Sequence, residues 1–149
     1  MVRVSNEYAP VVTLAGNATI TLESLNTKRH FTYRIRQSDS KPELYFVDLL
    51  HGPDNTADYK YVGCYYKDTE YFHPCKQYQG MRKCNWPTSM QAIAYFFDHL
   101  YNIPDTLFVY HEGKCARCGR KLTTPESIVS GFGPECIKFV EGAITYGNN

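Results

Sequence analysis

Two short stretches near the carboxyl end decide how this chain folds: HEGKCARCGR at positions 111–120 and GPEC at positions 133–136. Cys115 and Cys118 are separated by two residues, a spacing that lets a tight turn point both sulfurs at one metal ion. Gly119 follows directly and can adopt the positive φ that turns backbone N–H groups toward those sulfurs. Cys136, near the start of a predicted short helix, supplies a third thiolate. Together the two stretches predict a structural zinc site.

The fourth zinc ligand is predicted to be His111. It lies four residues before Cys115 at the end of a predicted strand, and a set of three cysteines and one histidine gives the closed tetrahedral site of structural zinc. The alternative for His111 is a polar residue that simply ends the strand. The alternative for the cysteines is a group of free or buried thiols. We expect one zinc ion per chain, held by Cys115, Cys118, Cys136 and His111.

This region resembles a small zinc-binding domain of unknown function that occurs in phage, plasmid and actinobacterial proteins. The resemblance is carried by CGRKLTTPESI at 118–128 and GFGPEC at 131–136, and it continues upstream at 18–22, 29–36, 52–55 and 58–63. It covers most of the chain except the ends and the segment from 72 to 86. The resemblance implies the same four zinc ligands and implies no catalytic residues.

Composition restricts the class of protein. The chain has 149 residues with 16 basic and 15 acidic side chains, so the net charge of +1 argues neither for nor against nucleic acid. Six cysteines, with no apolar targeting run after the first residue, favour metal-bound thiols in a reducing compartment. No stretch approaches the length of a membrane span. We expect a protein of the bacterial host cytoplasm that does not bind membranes.

Hydrophobic periodicity predicts an α+β fold. Alternation of apolar and polar residues predicts an antiparallel β-meander of about five strands, at 18–23, 30–36, 43–50, 59–66 and 71–73. A helix capped by Thr88 or Ser89 and running to about Tyr101 should cover one face of this sheet, because its apolar residues recur at helical spacing. The carboxyl end is predicted to form a zinc-knuckle lobe of treble-clef-like type.

Two regions of the chain follow from this pattern. Residues 1–104 are predicted as a β-rich body with one long helix, in which residues 1–16 form a loosely attached arm. Residues 105–149 are predicted as the zinc-binding lobe, packed on the body and entered through a strand at 107–110. A short helix should begin near Thr124 and end at Gly131.

Basic residues gather on the predicted hairpin and around the knuckle, and they are the expected contact surface for a partner: Lys28, Arg29, Arg34, Arg36, Lys114, Arg117, Arg120 and Lys121. In an alternating strand, Arg34 and Arg36 share one face while Tyr33 and Ile35 pack. The side chain of Arg117 is expected to point away from the metal into solvent. The alternative is that all these charges are merely solvated.

Two functions fit these features. The first is a non-catalytic accessory protein of a phage or mobile element that binds, and blocks or redirects, a host or defence protein; thirteen tyrosines favour such a contact surface. The alternative is a zinc-dependent module that binds single-stranded or structured DNA or RNA. The near-neutral charge favours the first, and the local basic clusters favour the second. The sequence specifies neither the target nor the oligomeric state.

An enzyme is disfavoured, because the chain lacks a phosphate-binding glycine loop and the common nucleophile motifs, and because a closed four-ligand site leaves no position for water. The remaining cysteines are Cys64, Cys75 and Cys84. Their spacing matches no compact metal site, so we expect free thiols. A second site assembled from them with His73 is the alternative.

Overall fold

The computed structural model describes residues 1–54 and 56–140, so Asn55 and the end of the predicted lobe at 141–149 lie outside it. The regular elements of the described chain are β1 (Val2–Val4), α1 (Ala9–Thr13), β2 (Asn17–Ser24), β3 (His30–Gln37), β4 (Leu44–Leu50), β5 (Tyr59–Tyr66), β6 (Tyr71–Pro74), α2 (Thr88–Asp98), β7 (Leu107–His111) and α3 (Pro125–Ser130). Short 3-10 turns lie at Lys76–Tyr78, Lys83–Asn85 and Cys136–Phe139.

The sheet is antiparallel, as predicted, but it contains seven strands rather than about five. The order is β1-β7-β2-β3-β4-β5-β6, so the predicted meander is present as β2 to β6. The chain then returns after α2 and places β7 against the free edge of β2, with Leu22 opposite Val109. The strand at 107–110 was recognisable from sequence, but its neighbours depend on long-range pairing. The predicted boundary at residue 104 therefore falls just before a strand inside the sheet.

The first sixteen residues do not form the loosely attached arm that the sequence predicted. Val2 and Val4 lie opposite His111 and Val109, so β1 extends the sheet beyond β7. Ala9 and Val12 of α1 are fully or almost fully buried in the core. The prediction failed because this apolar run is too short to show a clear period, although its side chains still have a buried surface to pack against.

One face of the sheet and α2 form the core, which confirms that the helix covers the sheet. We call this the inner face; its buried strand residues include Ile20, Leu22, Tyr33, Ile35, Tyr45, Val47, Tyr65 and Val109. Met90, Ile93, Ala94, Phe96 and Phe97 are the buried residues of α2. Pro87, and neither Thr88 nor Ser89, occupies the position before the first helical residue. The hydroxyl of Tyr33 donates a hydrogen bond to the backbone oxygen of Ser89, which fixes the start of α2 on the sheet.

A register shift between Val47 and Asp48 marks a bulge where β4 meets β5. Beside it, Gly63 lies opposite Val47 on one side and Pro74 on the other. A Cβ atom at Gly63 would overlap the backbone oxygen of His73 and the ring of Phe72. Glycine is therefore required here by the close approach of β6, since a side chain would push the edge strand away.

We expect Gly63→Ala to lower the free energy of unfolding by about 1–3 kcal/mol, because the added methyl group overpacks a site closed by backbone. Equilibrium unfolding in urea measures the change. Gly133→Ala is the matched control, since nothing lies within 4 Å of a Cβ atom placed there. Equal unfolding midpoints for the two variants would show that glycine is not required at position 63.

Candidate metal centre

The knuckle is a tight loop held by its own backbone. The N–H of Cys115 donates to the oxygen of Arg120 at 2.8 Å, and the N–H of Gly119 donates to the oxygen of Cys115 at 2.7 Å. Gly119 has φ of 81°, as its position after the second cysteine predicted. Lys114 and Lys121 form an isolated antiparallel bridge that closes the base of the loop. Cys115 and Cys118 are thus presented on one side of a rigid turn.

Three of the four predicted ligands come together. The sulfur atoms of Cys115, Cys118 and Cys136 all lie within 4.8 Å of one another. Cys115 and Cys136 are buried and Cys118 is exposed, so the cluster lies at the edge of the core with one side toward solvent. Cys136 begins the 3-10 turn at Cys136–Phe139, where the sequence had predicted the start of a short helix.

The backbone around Cys115 favours its thiolate form. Burial of Cys115 raises the pKa of its thiol, but hydrogen bonds from the backbone N–H groups of Gly133, Cys118 and Arg117 outweigh burial and bring the pKa to about 7. Burial raises the pKa of Cys136, and the neighbouring thiols act in the same direction. Three sulfurs that repel one another as anions are stabilised when they share a cation.

The chemistry of this donor set fits a metal ion. Thiolates are soft ligands that select zinc and similar ions. A loop that carries two thiolates, with backbone N–H groups directed at the sulfurs, commonly supplies two of the four ligands of a structural zinc site. In the described part of the chain, this is the one group of three or more histidine, cysteine or acidic side chains with ligand atoms close enough to share an ion. The cysteine cluster can therefore hold a metal.

His111 lies outside this cluster and packs the lobe against the sheet. Its Nε2 atom lies 2.5 Å from the backbone oxygen of Ile128 in α3, and its Nδ1 atom accepts a hydrogen bond from the N–H of Gly113 at 3.1 Å. The side chain is 1% exposed. Both ring nitrogens are thus paired with backbone groups, and the role of His111 as the fourth ligand stays a prediction.

Backbone hydrogen bonds attach the knuckle to its surroundings on two sides. The N–H of Ala116 donates to the oxygen of Gly131 at 2.8 Å, and the N–H of Asn17 donates to the oxygen of Ala116 at 2.7 Å. α3 is capped as predicted, because Thr124 accepts from the N–H of Ser127 and Gly131 ends the helix with φ of 80°. The knuckle is therefore continuous with both α3 and the start of β2.

Arg117 is exposed, as expected, but the expectation that its side chain leaves the sulfurs was wrong. Its Nη1 atom donates to the sulfur of Cys136 at 3.6 Å, and its guanidinium carbon lies 4.4 Å from the ring centroid of Phe139. A cation between two ligand residues is attracted to the negative charge of the thiolates rather than to water. Substitution of Arg117 would therefore alter the cysteine cluster itself.

Arg34 and Arg36 share the face opposite α2, which we call the outer face, but both are engaged there by one carboxylate. Both guanidinium groups pair with Asp48, at 3.4 Å and 3.0 Å. Asp48 was not among the residues predicted from the sequence; it is 4% exposed and lies directly across from Arg34 in β4. A single acidic residue within an apolar strand could have indicated this ion pair, because a buried charge needs a partner.

Aromatic rings occupy the rest of the outer face. Arg34 lies 4.4 Å from the ring centroid of Tyr59, and Arg36 lies 5.7 Å from that of Phe46. Phe46 contacts Tyr61 edge to face, and at the β6 edge Tyr71 contacts His73 in the same way. Tyr61 is 45% exposed and Tyr71 is 56% exposed. The outer face is thus an array of aromatic rings and arginines that is partly open to solvent.

The other predicted basic residues lie in different places. Lys114 lines a small cleft on the outer face with Thr19, Thr32, Tyr59 and Glu112. Arg120 and Lys121 are exposed on the knuckle, and Lys28 is exposed in the turn between β2 and β3. Arg29 donates instead to the hydroxyl of Thr88 at the start of α2. The predicted basic surface is therefore divided between the outer face, the cysteine cluster and the α2 side of the sheet.

The remaining cysteines lie on the β5–β6 side of the sheet. Cys64 is directly opposite His73, and burial raises the pKa of its thiol. Cys64 and Cys75 are half-buried, and Cys84 is exposed. That they bind no second ion stays a prediction.

With this architecture, the chain is an antiparallel sheet protein with a cysteine-rich knuckle that can bind a metal ion. Residues 105–138, which span β7, the knuckle, α3 and Cys136, match the model of a family described as a family of unknown function (DUF6011). The match covers less than a quarter of the chain and agrees with the resemblance to a domain of unknown function in that segment. A search of curated proteins and a search of solved structures gave no match. Among the described residues, no helix is long and apolar enough to cross a membrane.

We expect His111→Ala to lower the free energy of unfolding by about 2–4 kcal/mol, because it leaves a cavity and two unpaired backbone groups. Burial lowers the pKa of His111 below 6.5. Below that pH the unfolded chain binds a proton that the folded chain does not, so this contribution to stability should decrease as the pH falls. The stability difference between wild type and variant should therefore shrink between about pH 7.5 and pH 5.5.

Urea unfolding across that pH range measures the difference. His30→Ala is the control, since it removes an exposed imidazole at the start of β3. A difference between wild type and His111→Ala that grows toward acid would be inconsistent with a neutral, buried imidazole.

Proposed function

We propose that Cys115, Cys118 and Cys136 bind one zinc ion that stabilises the knuckle. The support is the cluster of three sulfurs within 4.8 Å together with the backbone N–H groups directed at Cys115. A structural zinc ion supplies charge neutralisation and cross-links the loop to the 3-10 turn that begins at Cys136. His111 is the predicted fourth ligand, a role that requires one of its ring nitrogens to exchange its backbone partner, Gly113 or Ile128, for the metal.

We expect Cys118→Ser to lose the metal and to unfold the region from 111 to 140, because ligand binding and folding are coupled at such sites. Metal analysis of the purified protein and hydrogen exchange of that region provide the two measurements. Cys84→Ser, an exposed cysteine far along the chain from the cluster, is the control and should retain one zinc per chain. Stoichiometric zinc in Cys118→Ser would exclude the proposed zinc site. Retained zinc in His111→Ala would show that His111 is not a ligand and only packs the lobe against the sheet.

We propose that the outer face binds a protein, in the cytoplasm of the cell in which the chain is made. One observation carries this proposal: Arg34 and Arg36 are both paired with the buried Asp48 and lie among aromatic rings. Tyrosine and arginine are enriched where protein partners make their strongest contacts, and arginines already paired with a carboxylate are less available to a polyanion. A host or defence protein, blocked or redirected by a phage or mobile-element protein, is the partner class we propose.

Nucleic acid is the second candidate, and Lys114 is the observation that favours it. Lys114 lies with Tyr59 in the small cleft of the outer face, and the guanidinium group of Arg34 lies over the ring of that tyrosine. A lysine beside stacked aromatic and guanidinium groups is the combination that holds a single strand. Because phosphate binding releases counterions, its affinity must fall steeply with salt.

We expect Tyr61→Ala and Tyr71→Ala each to weaken binding of the protein partner by about tenfold or more, because exposed aromatic anchors dominate such interfaces. The partner is first captured from the native host and then titrated as a pure protein at several salt concentrations. Tyr101→Ala is the control, since Tyr101 is 60% exposed but follows α2 on the other side of the sheet.

The same titration with DNA and RNA oligonucleotides separates the two candidates. Weak salt dependence together with no oligonucleotide binding at about physiological salt supports the protein partner. Oligonucleotide binding that falls steeply with salt, and that Lys114→Gln weakens, would replace it with the nucleic-acid function.

A further inference from the structure

A cleft of about 410 Å³ opens between α2 and the sheet, on the side away from the outer face. Its apolar lining comes from three layers of the fold: Leu22 and Phe31 of the hairpin, Ala92 and Tyr95 of α2, and Leu107 of β7. Leu22 and Leu107 are buried, whereas Tyr95 is 46% exposed at the rim. A mostly apolar cleft of this size is typical of sites for small molecules.

The polar part of the cleft has one sign of charge. Arg29 lines it, together with the hydroxyl-bearing residues Ser24, Thr27, Thr88 and Thr106, and none of its lining residues is acidic. The guanidinium group of Arg29 is held in place by a 3.3 Å hydrogen bond to the hydroxyl of Thr88, and it lies 5.4 Å from the ring centroid of Phe31. A positioned arginine with unused donors beside hydroxyl groups suits one anionic group.

Arg29 differs from the arginines of the outer face. Arg34 and Arg36 each have a carboxylate of Asp48 within 4.0 Å, whereas the ion pairs found among residues 1–54 and 56–140 do not include Arg29. The charge at the mouth of the cleft is therefore available to a ligand. The rings of Phe31 and Tyr95 add flat apolar surface, which favours a planar ligand over an aliphatic one.

We propose that this cleft binds a small planar aromatic molecule that carries a single anionic group. The ring lies against Leu22, Phe31 and Ala92, and the anionic group lies at Arg29 with the hydroxyl of Thr88 beside it. Nucleoside monophosphates and aromatic carboxylates share this chemistry. The cleft is separate from the cysteine cluster and from the outer face, so the proposal does not depend on the function proposed for either.

Titration of the isotope-labelled chain, used as purified, with adenosine 5′-monophosphate, uridine 5′-monophosphate and indole-3-acetate, followed by amide NMR, tests the site. We expect saturable shifts in residues 22–31, 88–95 and 106–107 with at least one of these probes. Shifts with the nucleotides alone identify a phosphate ester as the ligand type, and shifts with indole-3-acetate alone identify a carboxylate. No saturable shift with any probe would overturn the proposal.

Two variants separate the charged and apolar parts of the site. Arg29→Gln should weaken binding of the anionic probe about tenfold, the effect expected for loss of a charge-assisted hydrogen bond, and should leave binding of uncharged adenosine unchanged. Lys28→Gln removes the same charge one residue earlier, outside the cleft, and should have little effect. Equal weakening by the two variants would show general electrostatic attraction instead of a site.

Ala92→Trp should fill the cleft and abolish binding of charged and uncharged probes alike, because Ala92 is half-buried in its wall. Retained binding in a folded Ala92→Trp variant would contradict the location. If that variant does not fold, the pair Arg29→Gln and Lys28→Gln decides the proposal, since both residues are exposed in a turn.

Discussion

The pairing of β7 between β1 and β2 is the interaction on which the rest of this structure depends. β7 gives the amino-terminal strand its only hydrogen-bonded neighbour within the described sheet, and it closes the edge that the hairpin leaves open. It also ends at His111, the residue that holds α3, and leads directly into the knuckle. A single five-residue strand therefore joins the sheet, the amino terminus and the cysteine cluster into one folded unit.

Charge neutralisation decides which of the basic residues remain available to partners. Asp48 is buried, and a buried carboxylate is stable only when cations pair with it. Arg34 and Arg36 are therefore held on the outer face by their ion pairs with Asp48. The sulfurs of the cysteine cluster act similarly on Arg117, which turns back toward Cys136. Arg29 pairs with neither Asp48 nor the cysteine sulfurs, because it lies in a turn at the far end of the hairpin. A count of charges would have treated these four arginines as equivalent, although their surroundings give them different roles.

The two proposed binding regions lie on opposite sides of one sheet. The outer face is broad and aromatic, with two arginines paired to one carboxylate, whereas the α2 side carries a cleft whose one charged lining residue is Arg29. Broad surfaces suit macromolecules and enclosed apolar clefts suit small molecules, because each buries the area that its ligand can offer. The sheet itself separates the outer face from the cleft, so a ligand at one leaves the other accessible.

Local sequence determined much of this protein by itself. Alternation along β2 to β6, the helical period of α2, the cap at Thr124 and the turn after Cys118 all appear where they were predicted, because each depends on residues close together in the chain. The convergence of Cys115 and Cys118 follows from the same local geometry.

Only the tertiary structure decided the seven-strand order, the incorporation of residues 1–16, the pairing of Asp48 with two arginines, and the positions of Arg117 and His111. Each of these depends on groups far apart in sequence, whose meeting is set by long-range strand pairing and by the burial of charge or apolar surface. A periodic pattern states which side of a strand is apolar, but it does not state which strand lies next to it. For that reason the ligand spacing was readable in the sequence, while the surroundings of the site were not.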